Sequence, residues 1–295
     1  IYNASRYSVA LEGLLISDKD ADAFTVNSSI IMAAGTYALF AQSADAALNG
    51  GLPTPDYAYG MSMALANTSD ELVLSNGSST IDEISWDNGV FFPDTEGASM
   101  LMPGNSLDAT NNDLGGSWCE GSAQYGAGDL GSPGSDNNSC RRYCVDNVPA
   151  EISDVVPRGL SLTINIPDSL VVADVNVQLQ IDHIYFLAAS GANAELNHAA
   201  SSMSLFSESS FNGNPGCLEG SYGDLDLVLD DAATVPVQPS CSSVRLLRKN
   251  GRYSPDEGLS VFTGHNTTGD WRFDINDDGG NSGTVNQACL VFSTE

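Results

Sequence analysis

Basic residues are scarce in this chain. Lys and Arg together number 10 against 38 Asp and Glu, so the formal net charge at pH 7 is -28, and only Lys19 and Lys249 are lysines. A surface of this charge repels the phosphates of nucleic acids and anionic membranes. We therefore expect no nucleic acid partner and no membrane insertion. The charge suits either cation binding or solubility in salty water.

Long apolar runs and helical periodicity are also missing. No stretch is long enough to span a membrane. Short apolar runs alternate instead with clusters of Gly, Asn, Asp, Ser and Pro, a pattern typical of β-sandwiches. At 295 residues the chain exceeds the usual size of one domain. The sequence therefore predicts an all-β fold with two β-sandwich domains in tandem.

Period-two alternation marks the clearest strands. Val175, Val177, Leu179, Ile181, His183 and Tyr185 point one way, and the polar residues between them point the other. This pattern predicts a strand over 174–185 with one buried and one wet face. Residues 160–166 alternate in the same way. The candidate strands of the first half are Val9–Ile16, Thr36–Ala41, Glu71–Ser75, Asp82–Trp86 and Ala98–Met102.

Cysteine usage indicates the compartment. None of the six cysteines forms a Cys-x-x-Cys pair, which disfavours a zinc site. An even cysteine count with few lysines and abundant Ser, Asn and Gly favours an oxidising, extracellular or cell-surface location, and the acidity favours a marine or salt-adapted bacterium. Six cysteines allow fifteen pairings, so the residues alone leave the pairing open.

The beginning of the chain has the pattern of a strand that is already under way. Ile1–Tyr2–Asn3 looks like the second half of a strand, and no signal peptide precedes it. We therefore expect that a preceding segment was removed, cut or not included.

The first half carries an ordered set of short motifs. They are Ile1–Tyr2–Asn3, Leu11–Asp18, Ile31–Phe40, Asp82–Trp86, Gly97–Ser99 and Trp118–Gly134. In this order and spacing they resemble the bacterial lamin-tail domain. The resemblance implies an immunoglobulin-like sandwich over about the first 140 residues. Leu14 stands where that family usually has Trp.

The second half carries a longer set. It comprises Val177–Tyr185, Cys217, Asp224–Asp231, Cys241, Tyr253–Pro255, Leu259–Gly264, Gly269–Trp271, Asp277–Gly280, Gly283–Asn286 and Cys289–Phe292. These pieces resemble the P domain that follows the catalytic domain of proprotein convertases and of many secreted bacterial proteases. The resemblance implies a jelly-roll sandwich. The sequence does not resemble the P domain between Phe186 and Phe206, where an Ala/Ser-rich segment stands in place of the family's motifs.

These resemblances set the expected domains and disulfides. The domains are a lamin-tail-like sandwich at 1–140, a linker at 141–147 and a P-domain-like sandwich at 148–295. The domain division and the two resemblances together favour pairing Cys119 with Cys140, Cys217 with Cys241, and Cys144 with Cys289.

Two groups of carboxylates could supply the oxygen ligands that calcium takes. The first group is Asp224, Asp226, Asp230 and Asp231; the second surrounds a Gly-Gly turn and includes Asp274, Asn276, Asp277, Asp278 and Asn281. P domains often carry calcium, and Asp230–Asp231 matches the family's paired aspartates at a strand end, so the resemblance implies calcium as a cofactor. The alternative is that these residues form hairpin turns and a solvated face without metal.

Catalytic residues are not evident. The chain has three histidines, His183, His198 and His265, and none neighbours a plausible nucleophilic serine. We interpret His183 as a core residue and His265 as solvent-facing, and His198 has no evident partner. The sequence therefore predicts no enzymatic activity of its own.

Two functions remain open. One is a secreted structural or adhesion protein, linked by disulfides and stabilised by calcium, that self-associates as a subunit of an extracellular assembly or filament. An unpaired sheet edge beside the first strand could accept a neighbouring subunit. The other is the carboxyl-terminal accessory region of a larger secreted protease or nuclease, covalently linked to an upstream domain.

Overall fold

The computed structural model describes residues 1–153, 159–186, 193–207, 221–237, 248–276 and 283–294. In these ranges regular structure consists of β-strands and three short 3-10 helices, so the predicted all-β fold is confirmed. The chain divides into two compact units, Ile1–Arg141 and Arg142–Glu295. No helix in the described parts has the length and apolar character needed to cross a bilayer.

The first unit is built from short strands around a small core. Its strands are β1 Val9–Ala10, β2 Leu15–Ser17, β3 Ala23–Thr25, β4 Ile31–Met32, β5 Phe40–Ala41, β6 Tyr57–Ala58, β7 Ser69–Ser75, β8 Thr80–Asp87, β9 Met100–Leu101 and β10 Cys119–Glu120, with 3-10 helices at Asn111–Asp113 and Gly115–Ser117. The largest sheet has the order β3-β2-β7-β8. Leu72 and Leu74 of β7 pack against a core that includes Ile16 and Met32.

A turn interrupts the strand predicted over Val9–Ile16. Gly13 adopts a left-handed conformation with φ of 87°, which glycine tolerates because it has no Cβ. The Leu14 amide donates back to the Leu11 carbonyl at 2.9 Å. The expected single strand is therefore two strands, β1 and β2, which belong to different sheets.

The second unit contains longer strands in two sheets. They are β11 Cys140–Cys144, which begins at the end of the first unit, β12 Ala150–Glu151, β13 Leu160–Ile166, β14 Val172–Phe186, β15 Asn193–His198, β16 Ser201–Phe206, β17 Ser221–Leu229, β18 Arg248–Tyr253, β19 Gly269–Asn276 and β20 Thr284–Thr294, with a 3-10 helix at Leu259–Phe262. One sheet has the order β11-β20-β14-β17-β18, with β12 also pairing β20. The other has the order β13-β19-β15-β16.

One hydrophobic core joins the two sheets of the second unit. It takes alternate residues from both sheets, among them Ile164, Leu179, Leu227 and Phe292, around the fully buried Trp271. The alternation arises because successive side chains of a strand point to opposite faces. Residues 160–166 form the strand expected from their sequence.

The face of β14 that the sequence predicts to be wet is buried at its centre. Asn176 and Gln178 are each only 6% exposed. The Arg142 guanidinium donates to the Gln178 side-chain oxygen at 3.0 and 3.2 Å. Polar residues of a strand can therefore lie under other side chains, and the prediction of a solvated face at these two positions was wrong.

The predicted linker at 141–147 is also incorrect in part. Residues 141–144 belong to β11, which lies next to β20 in the sheet of the second unit. Beyond this strand, the Val145 amide donates to the Ala288 carbonyl at 3.0 Å. The segment is held by a neighbouring strand because its backbone groups find partners there.

Candidate functional site

Two disulfides cross-link the described parts of the chain. Cys119 is bonded to Cys140, and Cys144 is bonded to Cys289. Both are pairings that the domain division and the resemblances favoured. The first closes a short loop in the first unit, and the second joins β11 to β20. The third expected pair, Cys217 with Cys241, lies outside the described residues.

The first group of predicted calcium ligands centres on a buried ion pair. The Asp230 carboxylate forms a salt bridge with the Arg252 guanidinium, and the two side chains are only 6% and 7% exposed. The other carboxylate oxygen of Asp230 accepts a hydrogen bond from the Ala232 amide at 2.7 Å. A charge pair removed from water in this way is held by its geometry and its additional hydrogen bonds.

The neighbouring Asp231 has a different role. Its two carboxylate oxygens accept hydrogen bonds from the Leu259 and Ser260 amides at 2.7 and 2.8 Å, so it caps the first turn of the 3-10 helix. Asp224 and Asp226 lie on β17, opposite Arg248 and Asn250 of β18. Within the described ranges, no three His, Cys, Asp or Glu residues form a group that could hold a metal. Calcium at this group stays a prediction.

The second group is described only in part. Asp274 accepts hydrogen bonds from the Ser161 hydroxyl and from the Asn197 amide nitrogen, the latter at 2.9 Å. It also forms a salt bridge with Arg272 at 2.8 Å. Asp277 and Asp278 lie outside the described residues, so calcium at this turn also stays a prediction.

His198 has close partners that the sequence did not reveal. It is 6% exposed, and its ring stacks on Trp271 with 3.9 Å between ring centroids. Its Nδ1 and Nε2 atoms lie 3.1 and 2.9 Å from the carbonyl oxygens of Asp270 and Asn266. A neutral imidazole donates to one of these carbonyls and an imidazolium donates to both. No partner of His198 was evident from the sequence, because its partners come from a segment 68 to 72 residues away.

His265 lies close to His198. The ring centroid of His265 lies 6.2 Å from that of His198 and 6.0 Å from that of Phe262, and His265 is half-buried rather than fully exposed to solvent. The side chain of His183 lies outside the described residues.

An acidic cavity of about 400 Å³ lies beside the edge strand β8 of the first unit. It is lined by Ile81, Asp82, Glu83, Ser85, Ala109 and Asp113. Burial raises the pKa of the Asp82 carboxyl above its usual value, and the hydrogen bonds it accepts from Asn112 and from the Glu83 amide offset part of this rise. Glu83 is already paired with Lys19. The cavity therefore disfavours additional negative charge.

The outer face of the sheet β13-β19-β15-β16 is polar throughout. Its side chains come from alternate residues of the four strands: Ser161, Thr163, Asn165, Asn193, Glu195, Asn197, Ser202, Ser204, Asp270, Arg272, Asp274 and Asn276. Several bond across strands, as Asn165 does to Asp270 at 2.7 Å and Asn276 to Asn193 at 2.9 Å. Cross-strand pairs of this kind stabilise a sheet.

Comparisons with known proteins give little similarity. No protein-family model matches the sequence, and no curated protein matches it. The crystal structure of a serine protease of Aeromonas sobria is similar with a TM-score of 0.29 and 14% identity over 67% of this chain and 36% of that one. The complex of that protease with the chaperone ORF2 gives a TM-score of 0.29 and 13% identity over the same shares.

A viral structure gives a still weaker similarity. The structure of infectious bursal disease virus, strain Gt, has a TM-score of 0.25 and 12% identity, covering 94% of this chain and 54% of that one. At these TM-scores the similarities carry no inference about function. The chain spans only 36% of the protease's length. The resemblances to the lamin-tail and P domains stay predictions.

Proposed function

We propose that this chain is an extracellular, non-catalytic structural or adhesion protein that acts in an assembly outside the cell. The observation that carries the proposal is the pair of disulfides, Cys119–Cys140 and Cys144–Cys289. Disulfides persist in oxidising compartments and are rare where cellular reductants keep thiols reduced. The net charge of -28 suits a protein that stays soluble in salty surroundings.

The surroundings of the histidines agree with a structural role. Both ring nitrogens of His198 lie against backbone carbonyls, so this ring positions chain segments instead of presenting a free base to a substrate. The polar outer face of the sheet β13-β19-β15-β16 provides hydroxyl, amide and carboxylate groups that can form hydrogen bonds with other macromolecules. Calcium remains part of the proposal, as a stabilising ion bound by the carboxylates of the second unit.

The test is to locate the native chain and its thiols together. Intact source cells are treated with a membrane-impermeant amine label, then lysed in an alkylating agent without reductant, and the chain is analysed by peptide mass spectrometry. We expect the chain in the labelled surface or secreted fraction, with Cys119, Cys140, Cys144 and Cys289 free of alkylation. Alkylated cysteines in a chain confined to the cell interior would contradict the proposal.

A second observation on the same source separates the alternative function. The open reading frame upstream of Ile1 can be read directly. A short leader supports a structural protein, whereas several hundred residues with a protease or nuclease motif would make this chain the accessory region of an enzyme.

A further inference from the structure

The strand β13 forms an edge of its sheet, and its outer side has no backbone hydrogen-bond partner among the residues that the structure describes. Its seven residues, Leu160–Ile166, pair with β19 on one side along their whole length. On the other side, no backbone hydrogen bond joins this strand to any other residue that the structure describes. An edge of this kind presents a row of free N–H and C=O groups that can pair with another chain.

The strand at the other edge of the same sheet is protected. The amide of Ser204 in β16 donates to the Glu257 carboxylate at 2.6 Å, and the Ser204 carbonyl accepts from the Glu257 amide at 3.1 Å. The Asp256 amide donates to the Leu205 carbonyl at 3.1 Å. This edge is therefore covered by the segment that precedes the 3-10 helix at Leu259–Phe262.

The long edge strands of the other large sheets carry charge, and the remaining edge strand, β3, is uncharged but spans only three residues. β8 contains Asp82, Glu83 and Asp87, and the Asp82 carboxylate also accepts from the Glu83 amide at 2.9 Å. β11 contains two arginines and β18 contains Arg248, Lys249 and Arg252. Charges on an edge strand oppose pairing with a neighbour. β13 has no charged residue, no proline and no interruption in its ladder.

The geometry of β13 matches a second copy of itself. If two copies pair antiparallel about Thr163, Thr163 meets Thr163, Ser161 meets Asn165 and Leu162 meets Ile164. The outward polar set of one copy then faces the outward polar set of the other, and the buried apolar set continues into the buried apolar set. Pro167 ends the strand on each side of this register, because proline lacks the amide needed to extend a ladder.

We propose that two copies of this chain associate through their β13 strands, joining the two four-stranded sheets into one continuous sheet about a twofold axis. This inference rests on the proposed structural role and names the partner as a second copy. An uncharged edge is the place where copies of a chain with net charge -28 meet with the least repulsion. The contact consists mainly of backbone hydrogen bonds, so the dimer is weak and its population rises with concentration and with screening salt.

Charge substitutions on the full-length protein test this contact. Thr163 is exposed, so Thr163→Lys leaves the core intact but places two ammonium groups against each other at the twofold axis. Ser202 is exposed on the protected edge strand β16, and Ser202→Lys makes the same change of net charge there. Sedimentation equilibrium should show that Thr163→Lys weakens dimerisation at least about tenfold and that Ser202→Lys leaves it unchanged or slightly stronger. The direction of the change in dimer affinity is decisive. A lysine lowers the net negative charge of both variants, which by itself would strengthen association, so only a lysine at the contact itself should weaken it.

A cysteine pair tests the register. Residues directly opposite in an antiparallel pair have Cα atoms about 4.5 to 5.5 Å apart, which lies within the range that disulfides span. Thr163→Cys should therefore form a disulfide-linked dimer under mild oxidation, seen on a non-reducing gel, and Ser202→Cys should not. Near-ultraviolet circular dichroism verifies that each variant is folded.

Three results would overturn the inference: a wild-type chain that stays monomeric at high concentration and salt, a dimer that Thr163→Lys leaves intact, or cross-linking as efficient through Ser202→Cys as through Thr163→Cys. A monomer found oxidised at the cell surface would overturn this contact while leaving the proposed extracellular role in place. A β13 dimer of a chain found reduced inside the cell would do the reverse.

Discussion

Replacing Arg252 with alanine should destabilise the second unit far more than replacing Arg272 with alanine. Both arginines pair with an aspartate, but their surroundings differ. The side chains of Arg252 and Asp230 are 7% and 6% exposed, whereas those of Arg272 and Asp274 are 53% and 29% exposed. The two variants therefore remove the same chemical group from a buried pair and from a surface pair.

The expected magnitudes follow from burial. Removing one partner of a buried ion pair leaves the other charge without compensation and costs about 3 to 5 kcal/mol. Removing one partner of an exposed pair costs about 0 to 1 kcal/mol. With a denaturant slope of about 2 kcal/mol per molar urea, a loss of about 4 kcal/mol lowers the midpoint of urea unfolding by about 2 M.

Urea unfolding of the oxidised full-length chain measures this difference. Trp271 lies fully buried in the core of the second unit, so its fluorescence and near-ultraviolet signal report on that unit. Trp86→Phe and Trp118→Phe, introduced into all the compared proteins, leave Trp271 as the only tryptophan. The Arg272→Ala variant serves as the matched control.

A double substitution separates electrostatics from packing. Arg252→Met together with Asp230→Leu removes both charges and retains apolar volume, so it should recover most of the stability lost in Arg252→Ala. Equal, small losses for Arg252→Ala and Arg272→Ala would refute the reasoning, because they would mean that the Arg252–Asp230 pair is not desolvated. A double variant as unstable as Arg252→Ala would show that packing, not the uncompensated charge, sets the cost.

Three further measurements probe other parts of the molecule. Since burial raises the folded-state pKa of Asp82, the ionised form of this carboxyl destabilises the fold. Asp82→Asn should therefore raise the melting temperature at neutral pH, and this gain should vanish as the pH falls through the raised pKa. A gain that does not change with pH would contradict this cause. His198→Phe keeps an aromatic ring near Trp271 but removes the ring's hydrogen bonding to the carbonyls of Asp270 and Asn266. We expect a loss of about 1 kcal/mol in chemical unfolding, and an unchanged midpoint would argue against a stabilising role for this hydrogen bonding. If calcium binds with a dissociation constant of about 1 mM, then about 10 mM calcium should raise the free energy of unfolding of the wild type by about 1.4 kcal/mol. The increase should be smaller in a double variant with Asp224→Asn and Asp226→Asn. An equal increase in both proteins would show that calcium does not bind at these two aspartates.

Local patterns predicted local structure well. The strand β13 has the bounds that its alternation indicates, and the apolar core residues of β14, Val175, Val177, Leu179 and Ile181, follow the expected period of two. These features depend on neighbours in the chain, because side chains alternate between the two faces of a strand. The all-β class follows from many such segments.

Features that depend on distant partners could not be predicted. The ion pair of Asp230 with Arg252 was not predicted, because nothing in the sequence indicates that β17 and β18 pair in parallel, which brings Arg252 beside Asp230. The partners of His198 are carbonyls 68 and 72 residues away. The Arg142 contact that helps to bury Gln178 likewise comes from a strand that was expected to be a linker. Sheet order, not strand pattern, decides these contacts.

The Cys144–Cys289 bond has a mechanical consequence. It encloses a sequence separation of 145 residues, which if unravelled would amount to about 500 Å of contour length. A pulling force applied to the chain on either side of this bond passes from Cys144 directly to Cys289 and bypasses the strands between them. The second unit is therefore inextensible under tension as long as the bond is oxidised, and reduction would release its whole length at once.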